Sequence, residues 1–452
     1  MGAYLLSIGI PNPVTPLLWI AGPICGMIVQ PIVGAMSDNF HPRFGYSRRK
    51  PFILAGALGT VMSMLSLACI DDIVGIFRSV ISENASQAMR TVLAFICIYT
   101  LNISLQPLQG GVRTMLFESC TREEQAKVAA WYGIIVAVGN VCGYFLGSVS
   151  LEKLGLPLLS SMTQFQALIS VISILLLATT SITCLYAKED PFAISKERST
   201  SPGSFTVNKV HRSAIMTAVR DNVNCLRSLP EYVKLVFQIQ FFSWLGWFPV
   251  IYYQTTYLAG LYISSNPEVN GIAEESLHAQ AMNQASIAAL VFAVVALIAA
   301  LFLSIVVCRT TIPWRFFNAD DLERDTLLIT LWLGGHILFA ISMLFAGFMK
   351  TIGQGTTLIA CIGISWALTN SVPFAILGKE VAQSSQAGTL TSLHNAAISS
   401  PQVLAALVCT LLFLAAQYVG RRDDVVAAMW IAGFAAGAAA WKTMKLRSIF
   451  LY

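Results

Sequence analysis

The sequence predicts an all-α integral membrane protein with many membrane-spanning helices. Of the 452 residues, 56% are hydrophobic and only 11% are charged, a balance too apolar for a soluble protein of this length. Apolar runs of about 20 residues, the length that crosses a bilayer as a helix, recur along the whole chain. The ten cysteines stand singly, without the Cys and His spacings of zinc or haem sites, so we expect neither a metal nor a cofactor.

The apolar runs divide into eleven whole spans and one short stub at the N-terminus. They cover residues 3–10 (the stub), 14–36, 51–70, 91–112, 128–150, 163–186, 232–253, 284–307, 326–348, 355–377, 388–416 and 425–441. The stub is too short to cross a bilayer alone. The first helix is therefore either truncated in this sequence or broken, and we favour truncation.

The basic residues predict how the chain is oriented in the membrane. Of the Lys and Arg residues, 21 lie on the side of the membrane that holds the long linker and the C-terminal tail, and 6 lie in the loops on the opposite side. The positive-inside rule places the linker and the C-terminus in the cytoplasm, and a glycosylation sequon at Asn84 falls in a predicted external loop. We expect the plasma membrane rather than the vacuolar membrane. Because topology accounts for the net charge of +5, we expect no nucleic-acid partner.

A stretch at residues 190–213, rich in Ser, Pro and charge, separates two sets of six spans. We expect an N-terminal helix half at 1–186 with its first span incomplete, a cytoplasmic linker at 187–230, and a C-terminal helix half at 231–452. Two such halves describe the major facilitator fold, in which the substrate binds between the halves near the bilayer midplane. A faint likeness between PLQGGVRTMLFES and SVPFAILGKEVAQ is not enough to establish an internal repeat.

A polar stripe crosses the fourth predicted span. Its members are spaced by four, three and four residues, lie within roughly 60° on one helix face, and are Asn102, Gln106, Gln109 and Arg113. A guanidinium inside hydrocarbon costs at least about 3 kcal/mol, so Arg113 must face a partner or a water-filled cavity. The stripe is either a set of substrate contacts or a hydrogen-bond seam between helices. We favour substrate contacts, because an arginine exceeds what packing needs.

The loop between the second and third predicted spans carries charges that a cytoplasmic gate would use. Asp38 can cap the N-terminus of a neighbouring helix, and Arg48 or Arg49 can pair with a carboxylate at the end of the fourth span. Glu118 is the natural partner, since it lies five residues beyond Arg113 near the cytoplasmic end. The alternative is charge that only orients the protein, which explains the arginines but not Asp38. We favour the gate.

Motifs in both halves resemble one transporter family, in the order in which that family has them. They are LLWIAGPICGMIVQPIVGAMSD, RFGYSRRKPFI, LQGGVRTML, WYGIIVAVGNVCGYFLGS, SWLGWFPVIYY, SVPFAILGKEVA and NAAISSPQV. The sequence resembles the sucrose carriers of plants and their fungal relatives, within the glycoside-pentoside-hexuronide:cation symporter family of the major facilitator superfamily. The resemblance implies a proton-driven carrier of a glucoside.

Residues that the resemblance implies for proton coupling are substituted here. Asn102 stands where plant relatives have the aspartate expected to carry the proton, and it cannot titrate. Gln254 and Thr256 replace two further aspartates, and Asn12 replaces a histidine. A glutamate of the first span in the fungal relatives would lie just upstream of Met1. None of the 23 Asp and Glu residues lies in the middle of a predicted span.

Further candidate site residues lie in the spans. Trp244 and Trp247 offer flat apolar faces of the kind that cover a sugar ring, although aromatic residues in spans often only pack. Asn140 and Asn370 are added as amides for sugar hydroxyls. His336 could titrate near neutral pH, although a lone histidine on an apolar helix is more often a packing residue.

We therefore predict a secondary active transporter for a small glucoside such as sucrose or maltose, embedded in the lipid bilayer, with the proton as coupling ion. The alternative is a non-transporting sugar sensor or an uncoupled facilitator, which the loss of an acid at Asn102 suggests. The sequence has no nucleotide-binding glycine loop, no GxSxG motif and no metal cluster, so it does not indicate an enzyme.

Overall fold

A computed structural model describes residue 18 and residues 20–40, 47–77, 82–148, 162–187, 214–266, 274–308, 321–418 and 425–451. This part of the chain contains thirteen α-helices and no strand. In chain order they are α1 (Ala21–Asp38), α2 (Lys50–Ala68), α3 (Ile70–Ile76), α4 (Glu83–Glu118), α5 (Gln125–Ser148), α6 (Gln164–Tyr186), α7 (Ala214–Ser228), α8 (Glu231–Ser265), α9 (Glu274–Cys308), α10 (Asp321–Phe345), α11 (Ile352–Val381), α12 (Ala387–Tyr418) and α13 (Val425–Leu451).

Ten helices of the described part are long and apolar enough to cross a membrane, namely α2, α4, α5, α6 and α8 to α13. This confirms the predicted all-α fold with many spans. Helix α1 covers the second predicted span over 18 residues, and its sequence includes Gln30, Asp38 and two prolines, which make it less apolar. The N-terminal stub at 3–10, Asn12 and the linker stretch 190–213 lie outside the described residues.

Local sequence signals mark several helix starts. The Oγ of Ser82 accepts a hydrogen bond from the amide of Ala85 at 3.3 Å and so caps α4. Thr163 and Gln166 form a reciprocal capping box at the start of α6. Pro51 lies in the first turn of α2, where a missing amide hydrogen costs nothing. The starts of α2 and α6 agree with the apolar runs of the sequence, whereas α4 begins at Glu83, before the run predicted from residue 91.

The described helices pack as two compact units. The first contains α1 to α4, α6, α7 and the part of α12 up to Ser399. The second contains α5, α8 to α11, the rest of α12, and α13. These units interleave along the chain, so they divide it differently from the predicted halves at 1–186 and 231–452. The halves stay a prediction about how the chain divides functionally.

In the first unit, α4 packs along α2 with the two backbones in close approach. A Cβ on Gly56 would lie 2.8 Å from the carbonyl oxygen of Ser104 and 2.7 Å from the amide nitrogen of Leu108, so only glycine fits. Helix α4 also packs on α1, α2 packs on α6, and α7 packs on α1. This arrangement brings together the end of α1, the residues before α2 and the end of α4.

In the second unit, α13 packs along both α8 and α10. The ring of Trp247 stacks on that of Phe339 with centroids 4.1 Å apart. A Cβ on Gly246 would lie 2.8 Å from the carbonyl oxygen of Ala432. An aromatic core closed by small residues therefore holds these three helices together.

Candidate functional site

Four charged side chains meet in the first unit, and we call them the charge cluster: Asp38, Arg48, Arg49 and Glu118. The side chain of Arg49 is fully buried, and its Nη2 donates to Asp38 Oδ1 at 2.6 Å and to Glu118 Oε1 at 2.8 Å. Its Nε donates to Glu118 Oε2 at 3.2 Å. Arg48 Nη2 donates to Glu118 Oε1 at 2.7 Å. The structure thus has the predicted pairing of loop arginines with Glu118, and Arg49 is at its centre.

Asp38 also holds the first turn of α12. Its Oδ1 accepts a hydrogen bond from the amide of Gly388 at 3.0 Å. Its Oδ2 accepts from the amide and the hydroxyl of Thr389 at 2.6 and 2.7 Å. Amides in the first turn of a helix have no partner within the helix and carry partial positive charge, so a carboxylate is favourable there. The helix that Asp38 was predicted to cap is therefore α12.

Arg49 keeps its charge despite its burial. Burial disfavours the guanidinium, but Asp38 and Glu118 more than offset this effect and hold the pKa of Arg49 above its usual value. Its Nη1 also donates to Ser37 Oγ. Removing one partner of a buried ion pair is costly, because the remaining charge is left uncompensated. Each member of the charge cluster therefore depends on the others.

Helices α1 and α12 approach each other through glycines beside the charge cluster. A Cβ on Gly34 would lie 2.7 Å from the Cβ of Ser392. A Cβ on Gly388 would lie 2.9 Å from the carbonyl oxygen of Gly34. No larger residue fits at either position unless the two helices separate.

The polar stripe lies along α4, and its members differ in exposure. Gln106 is buried, Asn102 and Arg113 are half-buried, and Gln109 is exposed. Asn102 Nδ2 donates to the carbonyl of Ile98 at 2.8 Å, and Gln106 Nε2 donates to the carbonyl of Asn102 at 2.9 Å. These two amides therefore use their NH₂ groups within α4, whereas Arg113 reaches another helix.

Arg113 reaches α12. Its Nη1 donates to Asn395 Oδ1 at 3.4 Å, a long and therefore weak hydrogen bond. Thr114, the next residue of α4, also contacts α12: its hydroxyl and that of Thr391 form a hydrogen bond of 2.6 Å. His394 is fully buried and lies within electrostatic range of Arg113. Sequence reasoning did not select Asn395 or His394, because spacing within α4 does not show which residues of α12 face it.

A small cavity of about 10 Å³ adjoins both the stripe and the charge cluster, which is roughly the space one water molecule needs. Its lining includes Gln30, Gln106, Arg49 and Thr114. Gln30 is 1% exposed, and neither polar atom of its amide has a hydrogen-bond partner among the described residues. A water molecule in the cavity would satisfy this amide.

In the second unit, the aromatic candidates have different surroundings. Trp247 is fully buried, and its Nε1 donates to Thr369 Oγ1 at 3.4 Å, which favours the packing interpretation. Trp244 is half-buried and packs edge-on against Trp366 with centroids 5.7 Å apart. Within the described part of the chain, the indole N–H groups of Trp244 and Trp366 have no hydrogen-bond partner. Asn370 Nδ2 donates to the carbonyl of Trp366 at 2.9 Å, and sequence reasoning missed Trp366.

His336 and Asn140 also belong to the second unit. His336 is 1% exposed, and its ring centroid lies 5.1 Å from that of Trp332. Its Nε2 has no hydrogen-bond partner among the residues that the structure describes. Burial fits a packing role, but the unpartnered nitrogen does not. Asn140 is half-buried in α5.

A second buried ion pair was not predicted. Lys379 Nζ donates to both carboxylate oxygens of Asp325 at 2.7 Å, and each side chain is 9% exposed. Asp325 lies near the start of α10 and Lys379 near the end of α11, much as Arg49 precedes α2 and Glu118 ends α4. The described residues contain no group of three or more His, Cys, Asp or Glu that could hold a metal ion.

Known protein sequences are similar to this chain over most of its length. Residues 3–406 match the Major Facilitator Superfamily model. The general alpha-glucoside permease of Schizosaccharomyces pombe is 28% identical, over 93% of this chain and 84% of the permease. The sucrose transport protein SUC3 of Arabidopsis thaliana is 23% identical, over 89% of this chain and 77% of that protein.

Solved structures share the fold. The transporter FucP in its outward conformation has a TM-score of 0.58 at 11% identity and matches 99% of this chain and 93% of its own. The proton:xylose symporter XylE has a TM-score of 0.57 at 11% identity and matches 98% of this chain and 88% of its own. At such identities the likeness shows the fold alone. Ten apolar helices and the family match together show an integral, multi-pass membrane protein: the chain belongs to the Major Facilitator Superfamily.

Proposed function

We propose that this chain is a secondary active transporter that carries a small glucoside of the sucrose or maltose class. The observation that carries the proposal is Arg113, a guanidinium inside a membrane-length helix of 36 residues that makes a long hydrogen bond to Asn395. A charge at this position costs at least about 3 kcal/mol and is kept where it serves function. The names of the relatives, an alpha-glucoside permease and a sucrose transport protein, support a sugar substrate.

The first unit would supply polar contacts to the sugar. Arg113 has a planar fork of donors, and its weak bond to Asn395 is one that a sugar hydroxyl could replace. Gln109 is exposed on the same stripe, and the Oδ1 of Asn102 is not engaged by its bond to Ile98. Gln106 is buried against the cavity and would support the stripe instead of contacting sugar.

The second unit has a candidate sugar surface of its own, an apolar face with donors at its edge. Trp244 and Trp366 combine flat rings with indole N–H groups that lack partners among the described residues, the combination that suits a sugar's C–H face and hydroxyls. Asn370, bonded to Trp366, and Asn140 would add amides. Trp247 is fully buried and packs against Trp366 with centroids 4.9 Å apart, so it would position Trp366.

The charge cluster would act as the gate on the side of the linker, which the basic loops predict is cytoplasmic. It joins α1, α2 and α4 to the first turn of α12 through Asp38 and Arg49. Opening the carrier on this side would break these bonds, and re-forming them would favour closure. We propose the plasma membrane as the location.

We propose the proton as the coupling ion, with the two buried histidines, His336 and His394, as the candidate groups that bind it, and His394 is the chain neighbour of Asn395. An uncoupled facilitator or a sugar sensor is the second candidate. It is favoured by Asn102, whose amide bonds to Ile98 where a proton-carrying acid is expected.

Uptake of labelled maltose and sucrose by purified full-length protein in liposomes tests these proposals, with protein-free liposomes as control. Accumulation above the outside concentration under an inward proton gradient supports symport. Equilibration that ignores the gradient supports a facilitator, and binding without uptake supports a sensor. If the protein neither binds nor moves any glucoside, the proposed function is wrong.

A further inference from the structure

Helix α7, the amphipathic helix just before α8, has one face that the rest of the described chain leaves exposed. Ala218, Asn222 and Cys225 are buried on its inner side. Val219, Val223 and Leu226 are 47%, 42% and 47% exposed. Because these three residues are spaced by four and three, they form a strip within roughly 60° on one side of the helix.

Hydrogen bonds hold the inner side of α7 to α1. Asn222 Nδ2 donates to the carbonyl of Pro31 at 2.9 Å and to the carbonyl of Ala218 at 2.8 Å. Asn39 Nδ2 donates to Asp221 Oδ2 at 2.9 Å. The position of α7 on α1 is therefore determined by polar contacts, so the exposed strip lies in a definite direction, to one side of the contact with α1.

The exposed strip has basic residues along one edge. Arg220 and Arg227 are seven residues apart and point within about 20° of each other, at about 60° and 40° from Val223 on the side away from Val219. Both arginines are exposed. An apolar strip bordered by arginines is the surface that lies stably at the boundary of lipid headgroups and acyl chains, with arginine stems along the apolar surface and guanidinium groups at the phosphates.

The place of α7 in the chain also points to the membrane surface. It ends at Ser228, and the membrane-length helix α8 begins three residues later at Glu231. Its partner Pro31 lies seven residues before the end of α1, about 10 Å along that helix. This is comparable with the depth to which interfacial helices are buried, about 5–10 Å.

We propose that α7 lies in the interface of the membrane that the chain spans, with Val219, Val223 and Leu226 inserted and Arg220 and Arg227 bound to anionic lipid headgroups. Charge complementarity and the place of α7 in the chain, directly before the membrane-length helix α8, identify this occupant. The proposal does not depend on what the protein transports.

Photo-crosslinking in the full-length protein tests insertion. A benzophenone amino acid replaces Val223, or as matched control the neighbouring Asn224 on the polar side, in nanodiscs of phosphatidylcholine and phosphatidylserine. We expect lipid adducts at position 223 and at least about tenfold fewer at position 224. Equal lipid labelling at the two positions, or adducts at 223 to this chain or another protein, would overturn the proposal.

The same probe at position 223 tests the headgroup. We expect phosphatidylserine adducts to exceed their share of the bilayer, and replacing Arg220→Gln with Arg227→Gln to lower this preference by up to about fivefold per arginine. The charge-preserving pair Arg220→Lys and Arg227→Lys should keep most of it. A preference that does not change when both charges are removed would show that the arginines do not bind anionic lipid.

Discussion

Replacing Asp38 with asparagine tests whether the charge cluster holds α12 against α1. The carboxylate accepts hydrogen bonds from Arg49, from the amide of Gly388, and from the amide and hydroxyl of Thr389. An asparagine of nearly the same shape has one acceptor oxygen and no charge. The variant therefore removes charge and acceptor capacity with little change in packing.

The expected effect follows from the burial of the pair. Asp38 and Arg49 side chains are 5% and 0% exposed, and removing one member of a buried pair costs about 3–5 kcal/mol. We expect a cost at the lower end of this range, because Glu118 still neutralises Arg49. Loss of negative charge at the first turn of α12 adds about 0.3–1 kcal/mol. A total of roughly 3–4 kcal/mol corresponds to a shift of a few hundredfold in the equilibrium between closed and open forms.

Hydrogen exchange resolved to single amides measures this shift. The amides of Gly388 and Thr389 lose their acceptor directly, whereas the amide of Leu390 bonds within α12 to Gln386. We expect faster exchange at Leu390 and the residues after it, because the helix end is released from α1. The matched control is Asp71→Asn, which breaks an exposed ion pair with Arg90 and should cost at most about 1 kcal/mol. An increase confined to Gly388 and Thr389, or an equal increase in the control, would refute the reasoning.

Four further predictions address the stripe, the helix contact and the charge cluster. Arg113→Lys should lose most sugar uptake at matched expression, because an ammonium cannot reproduce the planar fork; uptake at the wild-type rate would contradict this. Asn102→Asp should strengthen uptake driven by a proton gradient if coupling was lost at this position, and an unchanged pH dependence would place the proton site elsewhere. Gly34→Ala should lower thermal stability by about 1–3 kcal/mol through overpacking against Ser392, and an unchanged melting temperature would count against the close contact. Glu118→Gln should slow uptake more than Arg48→Gln, since Glu118 also binds Arg49; equal losses that simply add in the double variant would show that Arg48 and Glu118 are not coupled.

Sequence reasoning succeeded where local patterns decide the structure. Apolar runs of bilayer length predicted the membrane-length helices. Positions at the ends of neighbouring spans predicted that Glu118 would meet a loop arginine and that Asp38 would cap a helix. The contact of Glu118 with a loop arginine follows from topology, because short loops between neighbouring spans leave few alternatives, whereas the helix that Asp38 caps lies in a distant segment and was not identified.

Contacts between distant segments could not be predicted from spacing. Arg113 and Asn395 are 282 residues apart, and the helical period of each segment does not fix which of its faces meets the other. The sequence also did not show which of Trp244 and Trp247 packs in the core, because the helix that carries them is apolar on most sides. Burial separates the two: Trp247 is in the core and Trp244 is half-buried beside Trp366.

The buried pair of Asp325 and Lys379 has a counterpart in the charge cluster. It joins the start of one span to the end of the next, as Arg49 and Glu118 do, but with the signs of the charges exchanged. Because the signs differ, a search for identical residues does not find this correspondence. A second gate at Asp325 and Lys379 would follow from the same reasoning as the charge cluster.

Equilibrium binding of maltose and sucrose to the purified full-length protein tests most directly whether Arg113 belongs to a sugar site. The comparison is between wild type, Arg113→Ala and the control Arg90→Ala, which removes an arginine from the same helix at an exposed ion pair. We predict that the wild type binds a glucoside, that Arg113→Ala weakens binding by about 10- to 150-fold because a charged hydrogen bond contributes about 1.5–3 kcal/mol, and that Arg90→Ala binds within about twofold of wild type. Wild-type affinity in Arg113→Ala would contradict the account.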